Sequence, residues 1–136
     1  MRTRWMAVTA VALSWVTATW GLAHEAAAQE TSPVVTEAGV GTGVVDRQLQ
    51  GQADSFPATV GTLYCFTKVE QAQAGSTIEH VWYHSDVEVG RVELNIGGSP
   101  WRTWSSKIIP PDATGDWRVD IVANGQVIKS LSFKVQ

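Results

Sequence analysis

The side chains able to do chemistry are concentrated in a few stretches, and the densest is GGSPWRTWSSK at residues 97–107, which sets Trp101, Arg102 and Trp104 beside a glycine–proline turn. Tryptophan offers a flat apolar face with a polar N–H tip, suited to a sugar ring or to the centre of a protein interface. The same residues could instead close one end of a hydrophobic core. TIEHVWYH at 77–84 holds the other notable group, His80 and His84 around Trp82 and Tyr83. On a helix an i, i+4 histidine pair can share a zinc ion. On a strand four residues span roughly 13 Å, against Zn–N bonds of about 2 Å, so a shared ion is not expected. Each histidine reads instead as a rim residue satisfied by a polar neighbour.

The remaining catalytic patterns fail on spacing. Gly39-x-Gly41-x-Gly43 has Val44 where a dinucleotide-binding loop needs its third glycine, and no helix follows. Gly97-Gly98-Ser99 is not a nucleophile elbow, because no strand-to-helix turn follows it. Acid–base hydrolysis needs paired carboxylates in a cleft, whereas Glu79, Glu88, Glu93, Asp112, Asp116 and Asp120 are scattered over turns and polar strand positions. No catalytic, cofactor-binding or metal-ligating residue is therefore expected.

The elements that must carry these residues are short β-type runs. VGTGVVDRQL (40–49), VGTLYCFTKV (60–69), TIEHVWYH (77–84), VEVGRVELNI (87–96), WRTWSSKII (101–109), DWRVDIV (116–122) and QVIKSLSFKV (126–135) are separated by turn signals, with no helical period between them. Asn124-Gly125 is the strongest of these signals, since both residues tolerate the positive φ of a type I′ hairpin turn. About seven strands at this spacing imply an all-β fold. An immunoglobulin-like antiparallel β-sandwich is the leading architecture, and a small open β-barrel is its competitor.

Alternation with period two assigns faces. Leu131, Phe133 and Val135 go inside, as do Trp117, Val119 and Ile121. In WRTWSSKII the apolar members of one set, Trp104 and Ile108, point to the core with Arg102 near the rim, which leaves Trp101 outside. In TIEHVWYH both sets are mixed; Trp82 inside and Tyr83 outside follows from the habit of sandwich strands to bury a central tryptophan.

The amino terminus has its own logic. Arg2 and Arg4, an apolar run and a close on Ala26-Ala27-Ala28 make residues 1–28 a secretory signal peptide. The alternative is a retained anchor, although residues 5–22 barely reach the roughly 20 apolar residues that a spanning helix needs. Residues 29–39 read as a polar leader and 40–136 as a single domain. Of 10 basic and 13 acidic residues, cleavage removes Arg2, Arg4 and Glu25, shifting the net charge from −3 to −4. No basic run appears, which argues against nucleic acid or an anionic membrane surface as partner. The lone Cys65, in an apolar strand, reads as a small buried hydrophobe. An intermolecular disulfide or a reactive thiol is the alternative.

LYCFTKV, IEHVWYH, RVELNIGGSPWRTWSSK and GDWRVDIV, in that order, resemble the bacterial domain of unknown function 2914 family from about Val40 to Val135. The resemblance implies a small β-rich domain of exported or membrane-associated proteins and supplies no catalytic residue. The expected function is an exported, non-catalytic binding module of the cell envelope, periplasmic or extracellular, without a cofactor. Its partner would be an envelope protein or a glycan, and its candidate contacts are Trp101, Tyr83 and Arg102. Two other readings stay open. One is assembly by pairing at a sheet edge, the glycine-loosened strand at 40–45 being the edge expected. The other is an envelope hydrolase.

Overall fold

A computed structural model describes residues 32–136; the expected signal peptide lies outside them. Within that range the strands are β1 (Val34–Gly41), β2 (Gly43–Val45), β3 (Gln48–Gln50), β4 (Ser55–Phe56) and β5 (Thr62–Glu70). They continue with β6 (Thr77–His84), β7 (Val87–Asn95), β8 (Trp101–Ile108), β9 (Gly115–Ala123) and β10 (Gln126–Val135), and the described residues contain no helix. One sheet has the order β1-β5-β8 and the other β4-β10-β9-β6-β7. They pack face to face as a sandwich and do not close into a barrel. All pairings are antiparallel except that of β4 with β10.

Three tight hairpins fix the register. His84 pairs with Val87 across Ser85-Asp86, and Ala123 pairs with Gln126 across Asn124-Gly125. The turn residues all have positive φ, 48° and 62° in the first and 52° and 75° in the second, the geometry that matches the twist of the flanking strands. The third hairpin divides the run expected as one strand at 40–49. Val45 pairs with Gln48 across Asp46-Arg47, whose φ values are 50° and 59°. An Asp-Arg turn lacks the glycine that announces such a bend, so the alternation read straight through it.

The leader ends sooner than residue 39. β1 starts at Val34 and pairs along β5, from Val34↔Glu70 to Gly41↔Tyr64, with a bulge between Val35 and Glu37. The β2–β3 hairpin then folds back over the outer face of β1. A methyl group at Gly39 would meet the side chains of Leu49 and Gln52, and one at Gly41 would overlap the Gln50 carbonyl oxygen. These two glycines are needed because another backbone lies on top of them.

The core has two apolar parts. At one end Phe133 meets Phe56 edge-on at 5.8 Å and Trp82 at 6.4 Å, and stacks on Trp117 at 6.0 Å, with Val40, Leu63, Cys65 and Val119 around them. At the other, Val69, Ile78, Ile96, Ile121 and Ala123 pack together. Trp117, Val119, Ile121, Phe133 and Val135 are buried and Leu131 is partly so, as alternation requires, and Trp82 is fully buried with Tyr83 on the other face.

Strand β8 has the opposite orientation to that expected. Ser105 is buried, whereas Trp104 is 38% exposed and Ile108 74% exposed. The cause is the partner across the core. His80 is fully buried there, and a buried imidazole draws polar side chains inward.

Candidate functional site

Two polar constellations stand out, one inside the sandwich and one on its surface. Inside, His80 on β6 faces β5 and β8. Its Nε2 lies 2.9 Å from Thr67 Oγ1 and its Nδ1 2.7 Å from Ser105 Oγ, which also accepts a hydrogen bond from Trp82 Nε1 at 3.2 Å. Every buried side-chain nitrogen and oxygen of the described residues has a partner, so this belt ties one sheet to the other without orphaned groups. Burial pushes the His80 imidazole down to about 4, which keeps the ring neutral at physiological pH. Burial likewise pushes the Cys65 thiol up to about 12, only partly offset by its hydrogen bond with Thr67. The thiol is free and buried, the inert state rather than the reactive one.

A serine hydroxyl 2.7 Å from an imidazole nitrogen has the spacing of a nucleophile and its base. Here Ser105 is 5% exposed and His80 not at all, so no substrate carbonyl can reach the pair as it stands. His80 is thus an interior tie rather than the rim residue expected. His84 stands apart from it, stacked on Trp117 at 4.7 Å with its Nε2 2.7 Å from the Thr114 carbonyl oxygen. Among the described residues no three His, Cys, Asp or Glu side chains gather as a metal site.

The surface constellation lies on the outer side of β1-β5-β8. Because Thr103 and Ser105 turn inward, Arg102 and Trp104 turn outward, and Lys68 stands directly opposite Arg102 in the register of β5 and β8. A cleft of about 290 Å³ is lined by Trp101, Arg102, Trp104, Pro100, Lys68 and Arg47. Trp101 begins β8 after the cis Ser99–Pro100 bond. Its indole packs over Gly97, where a methyl group would strike the ring, and it is 38% exposed, as is Trp104. Trp101, expected on the outer face, thus has the inward parity of Thr103 and Ser105, yet at the start of its strand it is still partly exposed and borders the same cleft as Trp104.

Three of that cleft's six residues are cationic, and none of the three has an ion-pair partner among the described residues. Elsewhere Arg91 bonds Glu79 and Glu88, Arg118 bonds Asp86 at 2.8 Å and Asp120 at 3.0 Å, and Lys134 lies 3.8 Å from Asp116. Lys68 and Arg102 are like charges on directly opposed residues, an arrangement that disfavours the sheet unless something neutralises it. Glu37 sits across from Lys68 on the β1 side but is not within ion-pair distance. The sequence hid this cluster because its members come from a turn at 47, a strand at 68 and a strand at 102.

A larger groove of about 580 Å³ is lined by Asp54, Asp86, Asp116, Arg118 and Lys134; there Arg118 pairs with Asp86 and Lys134 with Asp116, so its cations are already matched. Of the three expected contacts, the structure brings Trp101 and Arg102 together and leaves Tyr83 elsewhere. Tyr83 is on the five-stranded sheet, with the Arg118 guanidinium 4.3 Å above its ring. Trp104, Lys68 and Arg47 are the members that sequence reasoning missed.

The family described as "Protein of unknown function (DUF2914)" matches residues 75–135. The resemblance carried by IEHVWYH, RVELNIGGSPWRTWSSK and GDWRVDIV is borne out over that span; LYCFTKV precedes it. Among solved structures the chain is similar to the crystal structure of an immunoglobulin-like protein from Pseudomonas aeruginosa. The TM-score is 0.58 at 14% identity, covering 79% of this chain and 99% of that one. At that identity the likeness concerns the fold alone, and the fold is an immunoglobulin-like β-sandwich. No curated protein matches the chain.

Proposed function

We propose that this immunoglobulin-like sandwich, with its DUF2914 match over residues 75–135, is a non-catalytic binding module exported to the cell envelope. Its ligand contacts are Trp101 and Arg102, joined by Trp104, Lys68 and Arg47. The observation that carries this reading is the cleft itself: two partly exposed indoles, and three cations with no ion-pair partner among the described residues, border one cleft of a small, net-acidic protein. A fold gains nothing from leaving large aromatics and like charges together in water, whereas a ligand that stacks and accepts hydrogen bonds uses both. The non-catalytic part of the reading is supported by the sealing of the His80–Ser105 pair in the core.

The test is equilibrium binding of the purified protein to a panel of envelope glycans and envelope extracts, with Trp101→Ala alongside. Binding that is lost in the variant supports the cleft. Binding that Trp101→Ala leaves unchanged removes Trp101 from the account.

Edge pairing is a second reading, favoured by the exposed Ile108 on edge strand β8 and by Val87 and Val89 on edge strand β7. It moves the expected edge from 40–45 to the β7–β8 side. Sedimentation of the purified protein distinguishes it, since pairing requires a dimer or a captured partner.

A further inference from the structure

We infer that the cleft is selective for an anionic pyranose, the acidic sugar unit of a longer glycan; this rests on the binding reading above and names its ligand class. A cleft of about 290 Å³ is at the small end of ligand pockets and accommodates a single ring, not the roughly 800 Å² per side of a stable protein interface. An indole face is the natural platform for the C–H side of a sugar ring; Trp104 offers one on the outer face of β8, while Trp101, three residues earlier and so on the other face of the strand, borders the cleft at its end.

Charge then selects among sugars. Arg47, Lys68 and Arg102 converge on the cleft without a carboxylate in its lining. Guanidinium groups prefer planar or tetrahedral oxyanions, which they hold through paired N–H donors. An anionic substituent placed there also relieves the Lys68–Arg102 repulsion. The turn that delivers Arg47 points the same way. Arg47 has a φ of 59°, a left-handed conformation in which glycine or asparagine is favoured, yet a long cation occupies it at the lip of the cleft.

A second groove extends the site. It holds about 630 Å³, shares Arg47 and Arg102 with the first, and adds Thr36, Glu37, Gln48, Gln52 and Lys129. Two amides, a hydroxyl and the carboxylate of Glu37 suit the hydroxyls of neighbouring sugar units, and Lys129 offsets the charge of Glu37. The acidic unit belongs in the first cleft, whose lining holds three cations and no carboxylate, and the chain continues along β1 beside the Asp46–Arg47 turn. Nucleic acid fits poorly, since three cations in a net-acidic chain fall short of a phosphate-tracking face.

Calorimetric titration of the purified protein tests this with four probes: oligogalacturonate, a sulfated galactose oligomer, a neutral galactose oligomer of the same length, and oligoglutamate. The expected result is binding of at least one acidic sugar roughly tenfold or more tighter than the neutral oligomer, with salt weakening it. The carboxylated and sulfated arms identify which anion is preferred. Arg102→Gln and Arg47→Gln each lower the acidic affinity roughly tenfold and leave the neutral oligomer unchanged, while Lys134→Gln on the other sheet changes neither. Thermal melts confirm that these surface variants are folded.

Equal affinity for acidic and neutral oligomers, with both weakened by Trp101→Ala, overturns the anionic assignment and leaves the binding reading standing. Tighter binding of oligoglutamate than of any sugar overturns the saccharide assignment. If none of the four probes binds, the inference is wrong, and the envelope-extract experiment judges the broader reading by itself.

Discussion

Acidification should destabilise this protein through one residue. His80 is fully buried, its two ring nitrogens face the hydroxyls of Thr67 and Ser105, and no carboxylate hydrogen-bonds to it. Asp120, the buried carboxylate of the adjacent β9, is held by Arg118 and Ser130 instead. In the unfolded chain the imidazole titrates near 6.5, and in the fold burial lowers this to about 4. The unfolded state therefore binds more protons between those values, so stability is intact above about pH 6.5 and falls as pH drops towards 4. With about 1.4 kcal/mol for each tenfold change, the loss by pH 4 amounts to about 3 kcal/mol, a large share of the 5–15 kcal/mol typical of a domain.

Urea unfolding followed by tryptophan fluorescence from pH 7 to pH 4 measures the loss. His80→Gln, which can still hydrogen-bond to both hydroxyls, isolates the contribution of the imidazole. The variant's stability should fall less steeply by about 3 kcal/mol over the window. NMR titration of the His80 ring in the unmodified protein provides an independent check: the ring stays neutral to below pH 5. Parallel pH curves for the two proteins, or a ring that protonates near 6.5, would refute the description of His80 as a buried neutral tie.

Other predictions concern single residues. Arg47→Gly removes a side chain from a left-handed position and should raise stability by about 0.5–1 kcal/mol, net of glycine's larger unfolded-state entropy; urea midpoints measure this, and the same variant should bind acidic sugars more weakly. Gly41→Ala places a methyl group against the Gln50 carbonyl and should cost about 1–3 kcal/mol, with hydrogen exchange showing the loss concentrated in the β2–β3 hairpin. Cys65, with its thiol pushed up to about 12, should resist alkylation at neutral pH until urea opens the fold, and mass spectrometry of iodoacetamide-treated protein reads this directly.

Much of the sandwich was legible because its signals are local. The bounds of β6 and β10, the turns at Ser85-Asp86 and Asn124-Gly125, and the inward faces of β9 and β10 follow from alternation and turn chemistry alone. The failures share a different cause: they depend on residues distant in the chain. Trp104 and Ile108 are the most apolar side chains of β8, and alternation sends them inward. Their strand instead lies at a sheet edge opposite His80, and the interior demands Thr103 and Ser105 on that side. Arg47, Lys68 and Arg102 form no run in the sequence, and only the register of β5 with β8 and the fold of the β2–β3 hairpin bring them together. Val34 to Gly39 read as a polar leader because an edge strand with a bulge carries little apolar periodicity. Tyr83 was singled out for exposure alone, and its partner Arg118 became visible only with the pairing of β6 and β9.

The central claim is that ligand binds over Trp101 and Trp104 and nowhere near the other tryptophans of the described fold. The four indole N–H groups of Trp82, Trp101, Trp104 and Trp117 give separate resonances in a nitrogen–proton correlation spectrum. Two of them are buried, with Trp82 Nε1 bonded to Ser105 and Trp117 Nε1 to the Ala113 carbonyl, and two border the cleft. Titration with oligogalacturonate should move the Trp101 and Trp104 signals together and saturably, leaving those of Trp82 and Trp117 in place. Movement of the Trp117 signal alone, or saturable binding that leaves both cleft signals unmoved, would contradict the account.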